Sequence, residues 1–352
     1  MTGDESGHRT RALILWSGIG LLLVLALLAA FAAVQRTYYS ASGFVTGYVQ
    51  TLAAHDVASA HDVASALAMP GAAPTSAALK HAGLPTDVSH ELLRADLLPR
   101  ISDIAVVSDR ALPSGEHSVT VRAKSDGHAV TATFTVEQSG SVLGVLPLWR
   151  FATTPLTVAH VTVAHAQDFT IASHTVSPRA SAPDQPATAF SVAADYLMFA
   201  PGRYELGHTS KYLDAAPAAV LAKPASTVET TVDAQPTAAF TAAVQKQLNA
   251  FLDQCATQQV LQPAGCPFGV EIDDRVQGLP TWTMATYPAV HLTAGQTAWT
   301  MDQAVGVAHL SVTVQSLFDG TVSQRESDER FAVSLTSVVI RTDGSLDIVV
   351  GQ

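Results

Sequence analysis

The chain has 352 residues, 48% of them hydrophobic and 7% aromatic, and its net charge of −11 corresponds to a pI of about 5.5. Nucleic acids and anionic membrane surfaces are both bound by clustered Lys and Arg, so the negative net charge argues against nucleic acid as a partner. The length allows two or three domains.

The most apolar stretch runs from Ala12 to Val34 and contains no charged residue. At 1.5 Å per residue such a helix is roughly 30 Å long, the thickness of a bilayer core, so residues 12–34 are predicted to span the lipid bilayer. Arg9 and Arg11 precede the run and Arg36 follows it. This bias favours a short cytoplasmic N-terminus at 1–11 and an extracytoplasmic C-terminal bulk. A cleaved signal peptide is the alternative, although its apolar core is usually only about 7–15 residues.

Two cysteines occur in the chain, Cys255 and Cys266. In an exported domain they are expected to form a disulfide, which would contribute about 3 kcal/mol to stability. Free thiols or a metal site are the alternatives. Two thiols alone cannot complete a four-ligand zinc site, and no histidine lies within a few residues of them.

Residues 35–152 are predicted to form a first α+β domain. Apolar residues recur at helical spacing between Ser42 and Leu67, and a second short helix is expected from Ser76 to His81. From Ile101 the period changes to two, and Asp126-Gly127 lies between two alternating runs. An Asp-Gly pair in this position is a strong hairpin signal.

Residues 153–236 contain short β-like runs separated by Pro, Ser and Thr, which suggests a β-sandwich-like domain with linkers. Residues 237–352 begin with a helix at Phe240 and continue as strands, which predicts a second α+β domain. The charged stretch from Thr321 to Arg330 is expected to lengthen a solvated hairpin tip. The predicted class is therefore α+β, with one transmembrane helix and two helix-plus-curved-antiparallel-sheet domains flanking the sandwich-like domain.

A weak internal repeat supports this arrangement, because Ser-Val-Thr-Val begins at Ser118 and at Ser311 and is followed in both places by Asp-Gly. A helix followed by a curved antiparallel sheet resembles the nuclear-transport-factor-like and cystatin-like folds. With the anchor, the domain order and the Pro201-Gly202-x-Tyr204 turn, the chain resembles bacterial TcaA-type membrane-anchored envelope proteins. That resemblance implies a cell-envelope role without catalytic residues. No cysteine precedes the anchor, so the zinc ribbon usual in that family is missing.

The sequence lacks the hydrolase G-x-S-x-G elbow, the penicillin-binding signature, the Walker loop and G-x-G-x-x-G. His90-Glu91 begins like a zinc-protease helix, but Arg94 stands where the second histidine ligand belongs. We therefore predict no catalytic residue, no metal site and no cofactor.

The first functional hypothesis is a membrane-tethered, non-catalytic extracytoplasmic protein that interacts with a cell-wall polymer or an envelope protein. The alternative is a small-molecule binding protein or enzyme that uses the C-terminal curved-sheet cup. Four residues are the candidates for lining such a pocket: Trp282, Tyr287, His291 and Trp299. Core packing is the commoner explanation for aromatic residues in a sheet.

Overall fold

The computed structural model describes Trp16 and residues 21–27, 29–30, 39–53, 60–142, 144–182, 184–186 and 189–351. Strands make up 47% of the structure and helices 20%, and the architecture includes a half-barrel sheet. The structure is therefore mostly β. The predicted α+β class, with a transmembrane helix and two helix-plus-curved-sheet domains, is wrong.

The predicted membrane-spanning helix at 12–34 lies partly outside the described residues. The longest helical run described within it covers residues 21–27. Among the helices that the structure describes, none is long and apolar enough to span a membrane. This finding overturns the prediction of a single-pass membrane protein with a cytoplasmic N-terminus and an extracytoplasmic remainder.

The first part of the chain packs helices against a four-stranded antiparallel sheet. The helices are α1 (Ala41–Ala53), α2 (Ala60–Ala68), α3 (Ser76–His81) and a 3₁₀ turn at Ala95–Leu97. The strands follow in the order β1 (Ile101–Ala111), β2 (His117–Ser125), β3 (His128–Val142) and β4 (Leu146–Phe151). Buried residues recur along α1 at three- and four-residue steps, because one face of this helix packs on the sheet.

The hairpin predicted at Asp126-Gly127 is confirmed and joins β2 to β3. Asp126 has φ +47° and Gly127 has φ +81°. Two consecutive left-handed residues are what a two-residue hairpin turn of the favoured hand requires, and Asp and Gly adopt them at low cost.

The middle part consists of two sheets and one short helix, α4 (Pro178–Ser181). Its strands are β5 (Leu156–Ala164), β6 (Phe169–Ile171), β7 (His174–Val176), β8 (Ser191–Phe199), β9 (Gly202–Thr209), β10 (Leu213–Ala222), β11 (Ser226–Asp233) and β12 (Gln235–Pro236). One sheet has the order β12-β10-β9-β6-β7 and the other has the order β11-β5-β8. β11 runs parallel to β5, while the other pairings are antiparallel.

The C-terminal part places one helix against a six-stranded sheet. The elements are α5 (Ala238–Ala256), β13 (Arg275–Val276), β14 (Thr281–Thr286), β15 (Thr293–Ala294), β16 (Trp299–Gln315), β17 (Val322–Ile340) and β18 (Leu346–Gly351). The sheet has the order β13-β16-β17-β18, and β14 and β15 also pair with β16. The disulfide predicted between Cys255 and Cys266 is present and fastens the following loop to the end of α5.

The structure contains more strand than was predicted, largely because β16 and β17 are longer than expected. β17 includes the charged stretch that was expected at a solvated hairpin tip, and residues 322–330 pair continuously with β16. The hydrophobic core of this part is continuous with that of the middle part, because the buried residues of both belong to one cluster.

Candidate functional site

A cleft of about 870 Å³ opens between the middle and C-terminal parts of the molecule. Its walls come from the β5–β6 connection, α4, the β9–β10 turn, the start of β16 and the β17–β18 turn. The volume falls within the range of roughly 300–1,000 Å³ typical of small-molecule sites, which often lie where two parts of a fold meet. We therefore take this cleft as the candidate functional site.

Aromatic side chains form one wall of the cleft. The rings of Trp299 and Phe190 meet edge to face with their centroids 5.5 Å apart. The ring of Phe240, from α5, packs against Trp299 with the ring centroids 6.2 Å apart, and against Tyr212 with the centroids 5.4 Å apart. Such edge-on contacts add to the energy of burial. This wall offers an apolar surface to a ligand.

His165 contacts both the aromatic wall and Asp233, at the end of β11. Its backbone is left-handed, with φ +65°. The ring lies 4.9 Å from Phe190 and 5.3 Å from Trp299, and Nδ1 is 2.7 Å from Asp233 Oδ1. Non-glycine residues in this backbone region are uncommon and persist where the surroundings fix them. The contacts to both rings and to Asp233 hold His165 in the cleft wall.

Charged side chains in the cleft wall are mainly basic. Among the described residues that line the cleft, Arg179, Lys211 and Arg341 are accompanied by one carboxylate, Asp168, although the whole chain is strongly acidic. A basic concavity in an acidic protein favours ligands with negative charge.

The three basic residues have different surroundings. Arg179 donates hydrogen bonds to the carbonyl oxygens of Pro186 and Ala189, at 2.9 and 2.5 Å, and so holds the loop before β8. Arg341 pairs with Asp347 at 2.6 Å. Lys211 is exposed, and its Nζ lies 4.6 Å from the centroid of the Tyr212 ring. Within the described part of the chain no carboxylate lies within ion-pair distance of Lys211. Lys211 is therefore the cation best placed to meet a ligand.

The four residues predicted to line a C-terminal pocket are not brought together. Trp299 lies in the wall of the cleft. Trp282 is buried against Phe268 and donates a hydrogen bond from Nε1 to the carbonyl oxygen of Val260. Tyr287 is exposed and donates a hydrogen bond to Asp253, which raises the pKa of Tyr287.

His291, the fourth of these residues, is exposed and is not among the residues of the cleft wall. The aromatic residues thus have separate roles. Trp282 supports the loop closed by the disulfide, and Trp299 faces the cleft.

The polar residues of the cleft were not recognised from the sequence. His165 follows β5, His208 lies in β9 and Lys211 in the turn after it, and Arg341 comes from the far end of the chain. They share no spacing or motif, so only the packing of the two parts brings them together. No cluster of possible metal ligands occurs among the residues described.

Comparisons of the chain with protein-family models, with characterised proteins and with solved structures found no match. The resemblance to TcaA-type envelope proteins therefore stays a prediction, and the function is argued from the cleft itself.

Proposed function

We propose that the protein is a binding protein that takes a small molecule with an apolar, aromatic-sized body into the cleft. The observation that supports this proposal is the aromatic wall built by Phe190, Tyr212 and Trp299 along a cleft of about 870 Å³. Most small-molecule sites have this character, with apolar walls and a few polar groups that orient the ligand. The wider prediction of a cell-wall or envelope partner stays a prediction.

Within the described part of the chain, His208 of the cleft is not paired with a hydroxyl nucleophile. A serine or threonine nucleophile needs a base within hydrogen-bond reach of its hydroxyl. Nε2 of His208 has no hydrogen-bond partner among the described residues. The nearby Ser210 hydroxyl is engaged in a tight turn with the backbone of Leu213, at 3.0 Å. The arrangement is suited to holding a ligand.

The test is to titrate the protein with N-phenyl-1-naphthylamine, a neutral aromatic probe whose fluorescence rises in apolar surroundings. We expect saturable binding. Val339 is 42% exposed in the cleft wall, so Val339→Trp should fill space there and weaken probe binding at least about fivefold, or roughly 1 kcal/mol.

Val349→Trp is the matched control, because Val349 is 50% exposed on the adjacent strand β18 and is not part of the cleft wall. This variant should bind the probe as the wild type does. Equal binding by all three proteins would place the probe elsewhere and contradict the proposal, as would an absence of binding to the wild type.

A further inference from the structure

The cleft wall contains a buried histidine with a hydrogen-bond partner at only one of its two ring nitrogens. The His208 side chain is 8% exposed, and its Nδ1 lies 3.0 Å from the Asp168 carbonyl oxygen and 3.1 Å from Asp168 Oδ1. Carbonyl and carboxylate oxygens only accept hydrogen bonds, so Nδ1 must carry a proton. Nε2 is also buried and has no partner among the residues described. A buried polar atom without a partner carries a desolvation cost that a ligand atom can remove.

The charges around His208 favour its protonated form. The hydrogen bond that His208 donates to Asp168 raises the pKa of His208, burial opposes this shift, and Asp214 on β10 adds a smaller increase. Asp214 is itself held by the hydroxyl of Thr209 at 3.1 Å. When His208 is protonated, Nε2 becomes a charged N–H donor, and a charged donor pairs best with an anionic oxygen.

Lys211 adds a second positive group to the same stretch of wall. It follows His208 by three residues, across the turn from β9 to β10, and both residues line the cleft. The Arg179 and Arg341 guanidinium groups are already held by carbonyl oxygens and by Asp347. His208 and Lys211 are therefore the groups with positive charge to offer.

We propose that the ligand is an organic anion, with a carboxylate, sulfonate or phosphate group that accepts a hydrogen bond from His208 Nε2 and pairs with Lys211 Nζ. Its apolar body would pack on the aromatic wall at Trp299. This inference rests on the proposed function, because the same cleft must first accept an apolar molecule. It adds the class of ligand and the residues that distinguish a charged ligand from a neutral one.

Two probes of nearly the same shape provide the test. 8-Anilinonaphthalene-1-sulfonate carries a sulfonate on the same aromatic body that makes up neutral N-phenyl-1-naphthylamine. We expect the wild type to bind the sulfonate at least about tenfold more tightly than the neutral probe, as two charge-assisted contacts would provide. The preference should be largest below the ordinary histidine pKa of about 6.5 and should shrink as pH rises through the raised pKa of His208, because His208 then loses its proton.

Two substitutions assign the preference to these residues. His208→Asn retains an amide donor where Nδ1 meets Asp168 but removes Nε2, and Lys211→Met retains an apolar stem without the charge. Each should lower sulfonate affinity about tenfold more than it lowers neutral-probe affinity, and His208→Asn should also remove the pH dependence. Lys80→Met, at an exposed lysine on α3, is the control and should change neither affinity.

The outcomes separate the two proposals. Failure of both probes to bind would overturn the proposed function and with it the anion site. Equal binding of the two probes by the wild type would leave the cleft as an apolar site and overturn the anion site alone. Sulfonate binding that is unchanged in both His208→Asn and Lys211→Met would also overturn it, and neutral-probe binding by each variant shows that the cleft has folded.

Discussion

Two buried tyrosines differ in whether their hydroxyl groups are satisfied. Tyr204 donates a hydrogen bond to the carbonyl oxygen of Phe199 at 2.9 Å, across the turn that contains Pro201. The Tyr48 ring packs on Phe134 and Phe151, and its buried hydroxyl has no hydrogen-bond partner in the described part of the chain. Burial raises the pKa of both phenols, so both remain neutral hydroxyls.

Removing each hydroxyl should therefore have opposite effects on stability. Tyr204→Phe loses a buried hydrogen bond and should lower the free energy of unfolding by about 1 kcal/mol. Tyr48→Phe removes an unsatisfied polar group and should leave stability unchanged or raise it by up to about 1 kcal/mol. Urea unfolding of the two variants provides the comparison. Equal destabilisation by both would show that the Tyr48 hydroxyl is hydrogen-bonded in solution.

The pair of His208 and Asp168 should make stability depend on pH. Because the pKa of His208 is raised in the folded state, chiefly by the hydrogen bond that it donates to Asp168, the folded state binds this proton more tightly than the unfolded chain does. The resulting stabilisation is fully present below the unfolded pKa of about 6.5 and is lost as pH rises through the folded pKa.

Asp168→Asn provides the measurement, because it removes the charge that raises the pKa. The free energy of unfolding of the wild type minus that of Asp168→Asn should be larger at about pH 5.5 than at about pH 8.5. Urea unfolding at the two pH values gives both differences. A constant difference would mean that Asp168 does not favour the protonated form of His208.

At the scale of elements, local signals predicted helices and a turn but missed the full length of strand β17. The helix at Ser76–His81 and the hairpin turn at Asp126-Gly127 are as predicted, because a Thr75 cap and left-handed turn residues specify them locally. The charged stretch at 322–330 looked like a solvated tip, yet it is strand. Its pairing with β16 includes His309 to Asp328, at 2.7 Å between Nδ1 and Oδ1. Cross-strand partners of this kind are visible only once the register is known.

The candidate site was beyond prediction for the same reason. Trp299 was named as a pocket residue because it is aromatic, but no local feature identifies His208 or Lys211 as its neighbours. The cleft is lined by both the β9–β10 turn and the β17–β18 turn, and these segments are more than 100 residues apart in the chain. Tertiary contacts at that separation leave no periodic pattern in the sequence.

Gly306 marks a close approach between β16 and β17. It lies directly opposite Phe331, and a Cβ at this position would be 2.3 Å from the Phe331 ring. The ring is 5% exposed and packs on Phe268, so it has little room to move. Gly306→Ala should therefore destabilise the protein by roughly 1–3 kcal/mol, measured by urea unfolding.

Gly47→Ala is the matched control for that substitution. Gly47 lies inside α1, and a Cβ there would meet no atom within 4 Å. This alanine should raise stability by roughly 0.5–1 kcal/mol, because it restricts the unfolded chain and favours helix. Tolerance of Gly306→Ala without loss of stability would mean that Phe331 repacks freely.

The disulfide should stabilise the segment that follows α5. Cys255 and Cys266 are 11 residues apart, and the chain-entropy model assigns about 3 kcal/mol to a loop of this size. Cys266→Ala should lower the free energy of unfolding by that amount, with Trp282 as the fluorescent reporter because it is bonded to this loop at Val260. Wild-type protein under reducing conditions should match the variant. A loss below about 1 kcal/mol would show that the other contacts of the loop already hold it.

At the scale of the whole molecule, the sheet β11-β5-β8 joins the other two parts. Leu156 and Val158 of β5 belong to the core shared with the first part, while Val161 and Val163 of the same strand belong to the core shared with the C-terminal part. Backbone hydrogen bonds tie Ser89 to β8 on both sides, to Asp195 and Leu197. One sheet therefore contributes to both hydrophobic cores.

This sharing predicts one cooperative unfolding transition instead of three. If the first part unfolded alone, it would expose apolar residues of the middle sheet, among them Leu156 and Phe199, each at most 1% exposed in the folded protein. At about 25 cal/mol per Å² of apolar surface, a few such side chains cost several kcal/mol, which is comparable with the stability of a whole domain. The parts should therefore lose their structure together.

Tryptophans in different parts provide the measurement. Trp149 lies in the first sheet, while Trp282 and Trp299 lie in the C-terminal part. In a Trp16→Phe background, Trp149→Phe leaves emission that reports the C-terminal part, and the double variant Trp282→Phe, Trp299→Phe leaves Trp149 as the reporter of the first part. Within each variant, the fluorescence midpoint in urea should coincide with the far-UV circular dichroism midpoint. A fluorescence transition that precedes the loss of circular dichroism would identify a part that unfolds alone. In that case the shared sheet couples the unfolding of the parts less strongly than its burial implies, because one part can unfold while the sheet stays folded with the other.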